Sequence, residues 1–387
     1  MQYLEFTKLT QYDDYITNAW VEKQYRKKSY WVLKLRSEEG FSFYTSSNLD
    51  LKPIEGEFVR VKLWTEKLDF LSFLQGFYAP SSMLGRLEGR QERYELMKEL
   101  ATAHSTETAP VFNALFFAGS IPAPLRHQLS ALGINHLLAI SGFHLGVLSF
   151  ILFFIFKSVY QPLQGRYFPY RNAHFDIAVA IFIVLFSYLH FLDFVPSLLR
   201  AFSMSLFAYF LYDRGIKILS FSSLLLVVSF LIALWPKLLF ALGFWFSVAG
   251  VFYIFLFLHH MKELKSWQNF ILLHLWVYLA MLPLVHYFYG SFSLYQLYSP
   301  LLTMLFILFY PLALFLHLFA MGFLLDPLIA YILALQIRVV ELYTEFRLFL
   351  LYLFLSFLAV FKKLFFYLLL LFCLGFFGYL LYGIAEF

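Results

Sequence analysis

From His136 onward the chain is a near-continuous series of apolar runs, each close to the length that crosses a bilayer. A helical span needs ~20 predominantly apolar residues. Runs of that order lie at about 136–156, 174–194, 196–212, 217–235, 238–258, 269–289 and 293–319, with two further candidates at about 326–355 and 360–385. The pattern predicts a polytopic α-helical membrane protein of about 8–9 spans, some of them broken or interfacial. Of the residues, 61% are hydrophobic and 14% charged, against roughly 45–50% and about 25% in soluble domains. A core of 387 residues cannot hide that much apolar surface, so lipid must cover part of it. The run at 326–355 contains Arg338, Glu341, Glu345 and Arg347, and so either spans against a polar interior or lies in the interface. Pro283, Pro300 and Pro311 sit inside apolar runs and are expected to kink or break them.

Residues 1–80 have a different character. Stretches rich in β-formers occur at 19–25, 29–36, 41–45 and 58–64, separated by turn signals at 26–28, 37–40 and 52–56. Strands at this spacing predict a small β-barrel, placed here as an OB-like soluble domain over 1–80. Residues 81–135 read as a linker. The charged segment 84–108 is helix-prone. The mildly apolar 110–135, broken by Gly119, Pro122, Pro124 and Gly133, suits an amphipathic or re-entrant hairpin. The transmembrane helical domain is expected over 136–387. No internal repeat is visible.

Charge sets an expected orientation. Alternate connections hold Lys157, Arg166, Arg171, Arg214, Lys217, Lys262 and Lys265, while the others hold only Lys237 and Asp193. Short basic connections face the cytoplasm, so the N-terminal domain is expected outside it, in a protein of the cytoplasmic (inner) membrane. Residues 1–30 show no signal-peptide h-region. The net charge of +5 fits this loop bias as well as an anionic partner. The single cysteine, Cys373, permits neither an intrachain disulfide nor a thiolate cluster. No metal-ligand spacing and no phosphate-binding GxxxxGK[ST] loop occurs, and the adjacent His259 and His260 stand apart from other ligands. No cofactor, metal site or enzymatic activity is expected.

The sharpest local feature is HLLAISGFHLGVLSF, from His136 to Phe150. Gly142 and Gly146 form a GxxxG that suits close helix approach. Ser141 and His144, three apart, share a helix face. Polar groups near the end of a span must meet protein or water. They serve either as helix-packing groups or as part of a transport path. A Ser141/His144 dyad is the starting point for a rival reading as an intramembrane hydrolase, although no orienting acid is visible in the sequence. Arg200 is an ionisable residue within an apolar helix, either meeting an anion or paired with Asp193 or a carbonyl.

HLLAISGFHLG resembles the signature of ComEC-type competence proteins. The preceding ALFFAGSIPAPLRHQLSALGINHLLAISG is similar to that family's lead-in, with Gly133 and His136 at matching positions and Ser120 where the family often has an aspartate. VPSLLRAFSMSLF resembles a second family helix through Pro196, Ser197, Arg200 and Ala201. LGFWFSVAGVF resembles a third through Gly243, Phe244, Ser247 and Ala249. FLSFLQGFYAP looks like the segment after the family's OB domain. The resemblance covers most of residues 14–320 and implies a short form, without the metallo-β-lactamase-like domain of long members. It implies a channel passing single-stranded DNA during natural transformation, with His136, Ser141, Gly142, His144, Arg200 and Ser247 along the DNA path. A transporter of another anionic solute is the remaining alternative.

KQYRKKSYWVLKLR, from Lys23 to Arg36, interleaves basic and aromatic residues. Stacking on aromatic rings over a basic groove holds single strands at roughly 1–3 kcal/mol per base. Lys23, Arg26, Lys28, Tyr30, Lys34 and Arg36 are the candidate DNA contacts. The alternative is a basic hairpin whose aromatic residues fill a barrel core. Expected partners are single-stranded DNA, membrane lipid, a periplasmic DNA receptor, and a cytoplasmic translocase or ssDNA-binding protein.

Overall fold

A computed structural model of the protein describes residues 2–27, 30–47, 54–66, 68–87, 92–215 and 220–385. The chain divides into two compact units: Met1–Glu99 with Ile232–Ala241, and Leu100–Leu231 with Leu242–Phe387.

In the first unit, period-two alternation dictates the sheet. Strands β1 (Asp14–Lys27), β2 (Tyr30–Ser37), β3 (Ser42–Ser47), β4 (Phe58–Trp64) and β5 (Ser81–Leu87) pair antiparallel in the order β3-β2-β1-β4-β5. One face of each of the first four strands is buried: Ala19 and Val21, Leu33 and Leu35, Phe43, then Val59, Val61 and Leu63. Helices α1 (Gln2–Leu9) and α2 (Phe70–Gln75) add Leu9 and Phe73 to this core. The edge strand β3 also bonds the segment that leads into β5. The Tyr44 amide of β3 donates to Phe77 O, and the Ala79 amide, just ahead of β5, donates to Tyr44 O, each at 2.9 Å. A parallel bridge joins Tyr44 to Tyr78. The expected segment 84–108 is therefore split. Leu84–Leu87 extend the sheet as the last strand, and only α3 (Glu92–Thr102) is helical. The charged run reads as helix throughout, but Met83 and Lys62 lie in neighbouring registers of a free sheet edge, and edge pairing satisfies the backbone there. The connection Ile232–Ala241 belongs to this unit, where Lys237 Nζ lies 4.2 Å over the Phe73 ring.

The second unit is helical. Short helices α4 (Ala109–Phe117), α5 (Ala123–Ala131) and α6 (Asn135–Leu138) lead into α7 (Gly142–Tyr167), α8 (Ala173–Phe191), α9 (Pro196–Asp213), α10 (Phe221–Leu234), α11 (Leu242–His260), α12 (Ser266–Phe288) and α13 (Ser299–Leu318). Then follow α14 (Asp326–Leu333), α15 (Phe346–Ala359) and α16 (Lys363–Ala385). Among the described residues, six helices are long and apolar enough to cross a membrane: α7, α8, α11, α12, α13 with its leading turn, and α16. The protein is thus a mostly helical, multi-pass membrane protein with a small antiparallel sheet ahead of the helices.

Several expected spans change. The run at 217–235 supplies only the 14-residue α10, about 21 Å of helix, against a hydrocarbon core of ~30 Å. The run at 326–355 is interrupted. Between α14 and α15 the chain extends, and β7 (Val340–Glu341) pairs with β6 (Ser291–Phe292). The charged residues there break the run because they cannot lie along a lipid-facing helix. Pro300 begins α13, whereas Pro283 and Pro311 lie inside α12 and α13 without ending them. Beside Pro283, the Tyr352 hydroxyl donates to Ala280 O at 2.6 Å and Thr344 Oγ1 to Pro283 O at 3.0 Å. Side chains from α15 and from the extended segment just before it thereby bond carbonyls near the proline.

Candidate functional site

The three sequence motifs of the helical unit come together at helix N-termini. Gly142 opens α7, Arg200 lies in the second turn of α9, and Gly243 is in the first turn of α11. A Cβ added at Gly142 would lie 3.9 Å from the Ala201 Cβ. One added at Gly243 would lie 3.5 and 3.7 Å from the two terminal nitrogens of Arg200. The Arg200 guanidinium therefore rests on the bare backbone of α11, and its Nε is buried without a hydrogen-bond partner. Asp193, one of the partners considered for Arg200, has φ +56° in the turn after α8. Ser247 follows Gly243 by one turn and shares its face. Each helix N-terminus leaves unsatisfied amides and a partial positive charge. Three such ends and an arginine whose buried Nε has no hydrogen-bond partner make this a place where an anion is electrostatically favoured.

Ser141 and His144 form a helix cap. Ser141 is the N-cap of α7, its amide donates to His144 Nδ1 at 3.1 Å, and its Oγ is also 3.1 Å from that nitrogen. Nδ1 accepts from the backbone, so the ring proton of the neutral imidazole is on Nε2. That Nε2 is buried and unpartnered, and the ring meets Tyr310 edge-on at 4.5 Å between centroids. Gly146 departs from the expectation: nothing lies within 4 Å of an added Cβ, so the GxxxG is not a tight helix seam here. His136, in α6, has Nε2 3.5 Å from Thr303 Oγ1 of α13.

The lead-in glycine has a backbone task that the sequence did not reveal. Gly133 ends α5 with φ +69°, and an added Cβ would lie 3.1 Å from the Ser299 Cβ. Ser293 Oγ donates to Ala131 O at 2.5 Å, Gln296 Nε2 to Ser130 O at 3.0 Å and Ser299 Oγ to Gly133 O at 3.0 Å. The start of α13 thus caps the end of α5 and fixes where His136 and Ser141 begin.

In the sheet unit, the basic hairpin is partly neutralised. Lys34 Nζ pairs with Glu22 at 2.6 Å and Arg36 lies 3.9 Å from the same carboxylate. Arg26 lies over the Trp31 ring at 5.9 Å. Tyr30 begins β2 opposite Lys27, and Lys23 is in register with Lys34. Lys28 lies outside the described residues. Away from the hairpin tip lies the centre of the outward face. There Trp20 stacks on Phe58 at 4.5 Å, with Arg36 opposite Trp20 on one side and Arg60, opposite Asn18, on the other. The alternation of FVRVKLW was the available signal, since it turns Arg60 and Lys62 outward. Lys62 pairs with Asp14 at 2.6 Å.

Among the described residues, no group of three or more His, Cys, Asp or Glu is placed to hold a metal. Residues 117–385 match the family described as Competence protein. The chain belongs to the competence protein family. The matched region takes in Gly133, the α7 cap, Arg200 and Gly243, so the convergence lies wholly within the family's domain, and the family points to a role in DNA uptake. No curated protein and no solved structure matches the chain.

Proposed function

We propose that this competence protein is a channel of the cytoplasmic membrane that passes single-stranded DNA during transformation. The observation that carries the reading is the meeting of α7, α9 and α11 at Arg200, whose buried Nε has no partner. Bare phosphates are not tolerated in the bilayer core. A path for them needs fixed positive potential that binds weakly enough to release, and helix N-termini with one arginine supply it. Ser141, Gly142, Arg200 and Ser247 line this reading's path; His136 and His144 support its frame. The path involves no covalent step, so strand degradation and energy come from other proteins.

The sheet unit, read as OB-like from its strand order and the Tyr44–Tyr78 closure, is the first DNA contact. Its platform is the Trp20–Phe58 stack between Arg36 and Arg60, rather than the hairpin tip. Its side is extracytoplasmic by the Lys/Arg bias of the connections.

A transformation assay on chromosomal variants tests the channel. Arg200→Gln lowers DNA entry into the cytoplasm at least tenfold with unchanged membrane levels of the protein, and Arg200→Lys restores part of it. Ser141→Ala removes a helix cap and one neutral hydroxyl of the path but no charge, and leaves entry within a few-fold of wild type; its abolition would favour the hydrolase reading. Normal DNA entry in a deletion strain would end the channel reading.

A further inference from the structure

A second polar cluster lies away from Arg200, where the segment ahead of α4 meets the end of α13 and the start of α14. The His104 side chain is 1% exposed and stacks on Phe112 at 4.2 Å. Its Nδ1 is 2.7 Å from Asp326 Oδ1, and its Nε2 is 3.0 Å from His317 Nε2. His317 Nδ1 lies 2.6 Å from Ala313 O, one turn back in its own helix. The Asp326 carboxylate also accepts from Thr108 Oγ1 at 2.9 Å and from the Ser105 amide at 3.0 Å.

Proton counting follows from these contacts. A carbonyl only accepts, so His317 Nδ1 carries a proton. Asp326 accepts from Ser105 and Thr108, bonds that favour its carboxylate form, and His104 Nδ1 then carries a proton toward it. Burial pushes the Asp326 carboxyl up, but the His104, Ser105 and Thr108 hydrogen bonds outweigh it and hold it below the usual range. Both Nδ1 atoms are then donors, and the two Nε2 atoms face each other at hydrogen-bond distance. Without a further proton they would be two lone pairs in contact. With one, they form a single N–H···N bond, and the pair carries one positive charge against the Asp326 negative charge.

We propose that His104 and His317 share this one proton, making the cluster a proton-dependent latch that ties the segment before α4 to α13 and α14. A metal is the competing occupant, because carboxylate and carbonyl partners on the far nitrogens also orient histidine ligands. Here no third ligand joins them among the described residues, and the surrounding rings are Phe112 and Phe116. The titratable groups facing the shared proton are His104 itself, Asp326 and His317. Among the described residues, α4 brings Phe112 and Phe116 against the two rings, and α13 adds Tyr310 beyond Phe116. Gly322 fixes the geometry from below: an added Cβ would lie 2.6 Å from His317 Nε2. The latch is closed while the proton is bound. Burial of the His317 ring opposes the extra charge; the facing Nε2 atoms and the Asp326 carboxylate favour it, and the latch opens as pH rises and the shared proton leaves. This inference stands apart from DNA transport.

The test uses the full chain in detergent. The wild-type thermal midpoint falls by about 3 °C or more as pH rises across the histidine range. His317→Gln, whose amide bonds His104 without an extra proton, and Gly322→Ala, which displaces the ring, both flatten that slope. Equal slopes in all three proteins would overturn the latch. So would a wild-type midpoint raised by zinc and lost in His317→Gln, which would make the cluster a metal site. Nitrogen-15 histidine spectra of the wild type provide a check that needs no variant. At low pH the pair must show three ring N–H groups: one on each Nδ1 and one shared. Two would overturn the proposal.

Discussion

Gly133 and Gly146 flank the same motif, yet the structure assigns them opposite responses to alanine. At Gly133 the backbone has φ +69°, and an added methyl would lie 3.1 Å from the Ser299 Cβ and 3.3 Å from its Oγ. A left-handed alanine costs roughly 1–2 kcal/mol. Forcing the neighbour aside adds about 1–3 kcal/mol, and losing the Ser299 hydrogen bond to Gly133 O adds about 1 kcal/mol. These terms overlap, because the same shift of Ser299 relieves the contact and lengthens the bond. Their combined effect is about 2–4 kcal/mol. At roughly 2 °C per kcal/mol for a unit of this size, Gly133→Ala should lower the midpoint by about 4–8 °C. At Gly146 an added Cβ meets nothing within 4 Å. Relief of helix-interior glycine entropy should stabilise Gly146→Ala by about 0.5–1 kcal/mol. The assay is thermal unfolding of the purified full chain in one detergent at one fixed scan rate, since membrane-protein midpoints depend on rate. Equal shifts in the same direction for the two variants would refute the reasoning. The left-handed cap at α5 and the absence of a helix seam at Gly146 would then both be wrong.

Two further outcomes follow from the sheet unit. Binding of a single-stranded oligonucleotide to the full chain, followed by fluorescence anisotropy across salt concentrations, should weaken on Arg60→Ala, with a log–log salt slope smaller by about 0.7; an unchanged slope would remove Arg60 from the phosphate contacts. Tyr15 donates to Glu39 Oε1 at 2.8 Å, and burial, then the Glu39 hydrogen bond and charge, push its hydroxyl up to about 12. A folded value above the ordinary one near 10 means that stability is full below about pH 10 and lost between about 10 and about 12. Tyr15→Phe should lessen that alkaline loss, read from unfolding midpoints against pH, and an unchanged profile would contradict the assignment.

The sequence alone determined the membrane class, because the demand for ~20 apolar residues per span is local and one-dimensional. It determined β4 from Phe58 to Trp64 for the same reason: alternation needs no distant partner. The motif residues also announced themselves by type, with Arg200 conspicuous as a charge among Leu and Phe. What they do was decided only in three dimensions. Ser141 and His144, three residues apart, fit a catalytic dyad and a helix cap equally well on paper. The backbone amide that occupies Nδ1 makes them a cap. Gly142 and Gly146 spell a packing motif, but only Gly142 has a neighbour within 4 Å, and that neighbour comes from a helix 59 positions later. The break at 326–355 depended on β6, about 50 residues earlier in the chain, offering a strand to pair with. His104 and His317 are 213 residues apart, so no window on the chain could join them. Periodicity records which face of an element is apolar. Only the packed structure decides which buried polar groups meet, because an unpartnered polar group in the interior is costly and the fold must bring its partner from wherever the chain holds one.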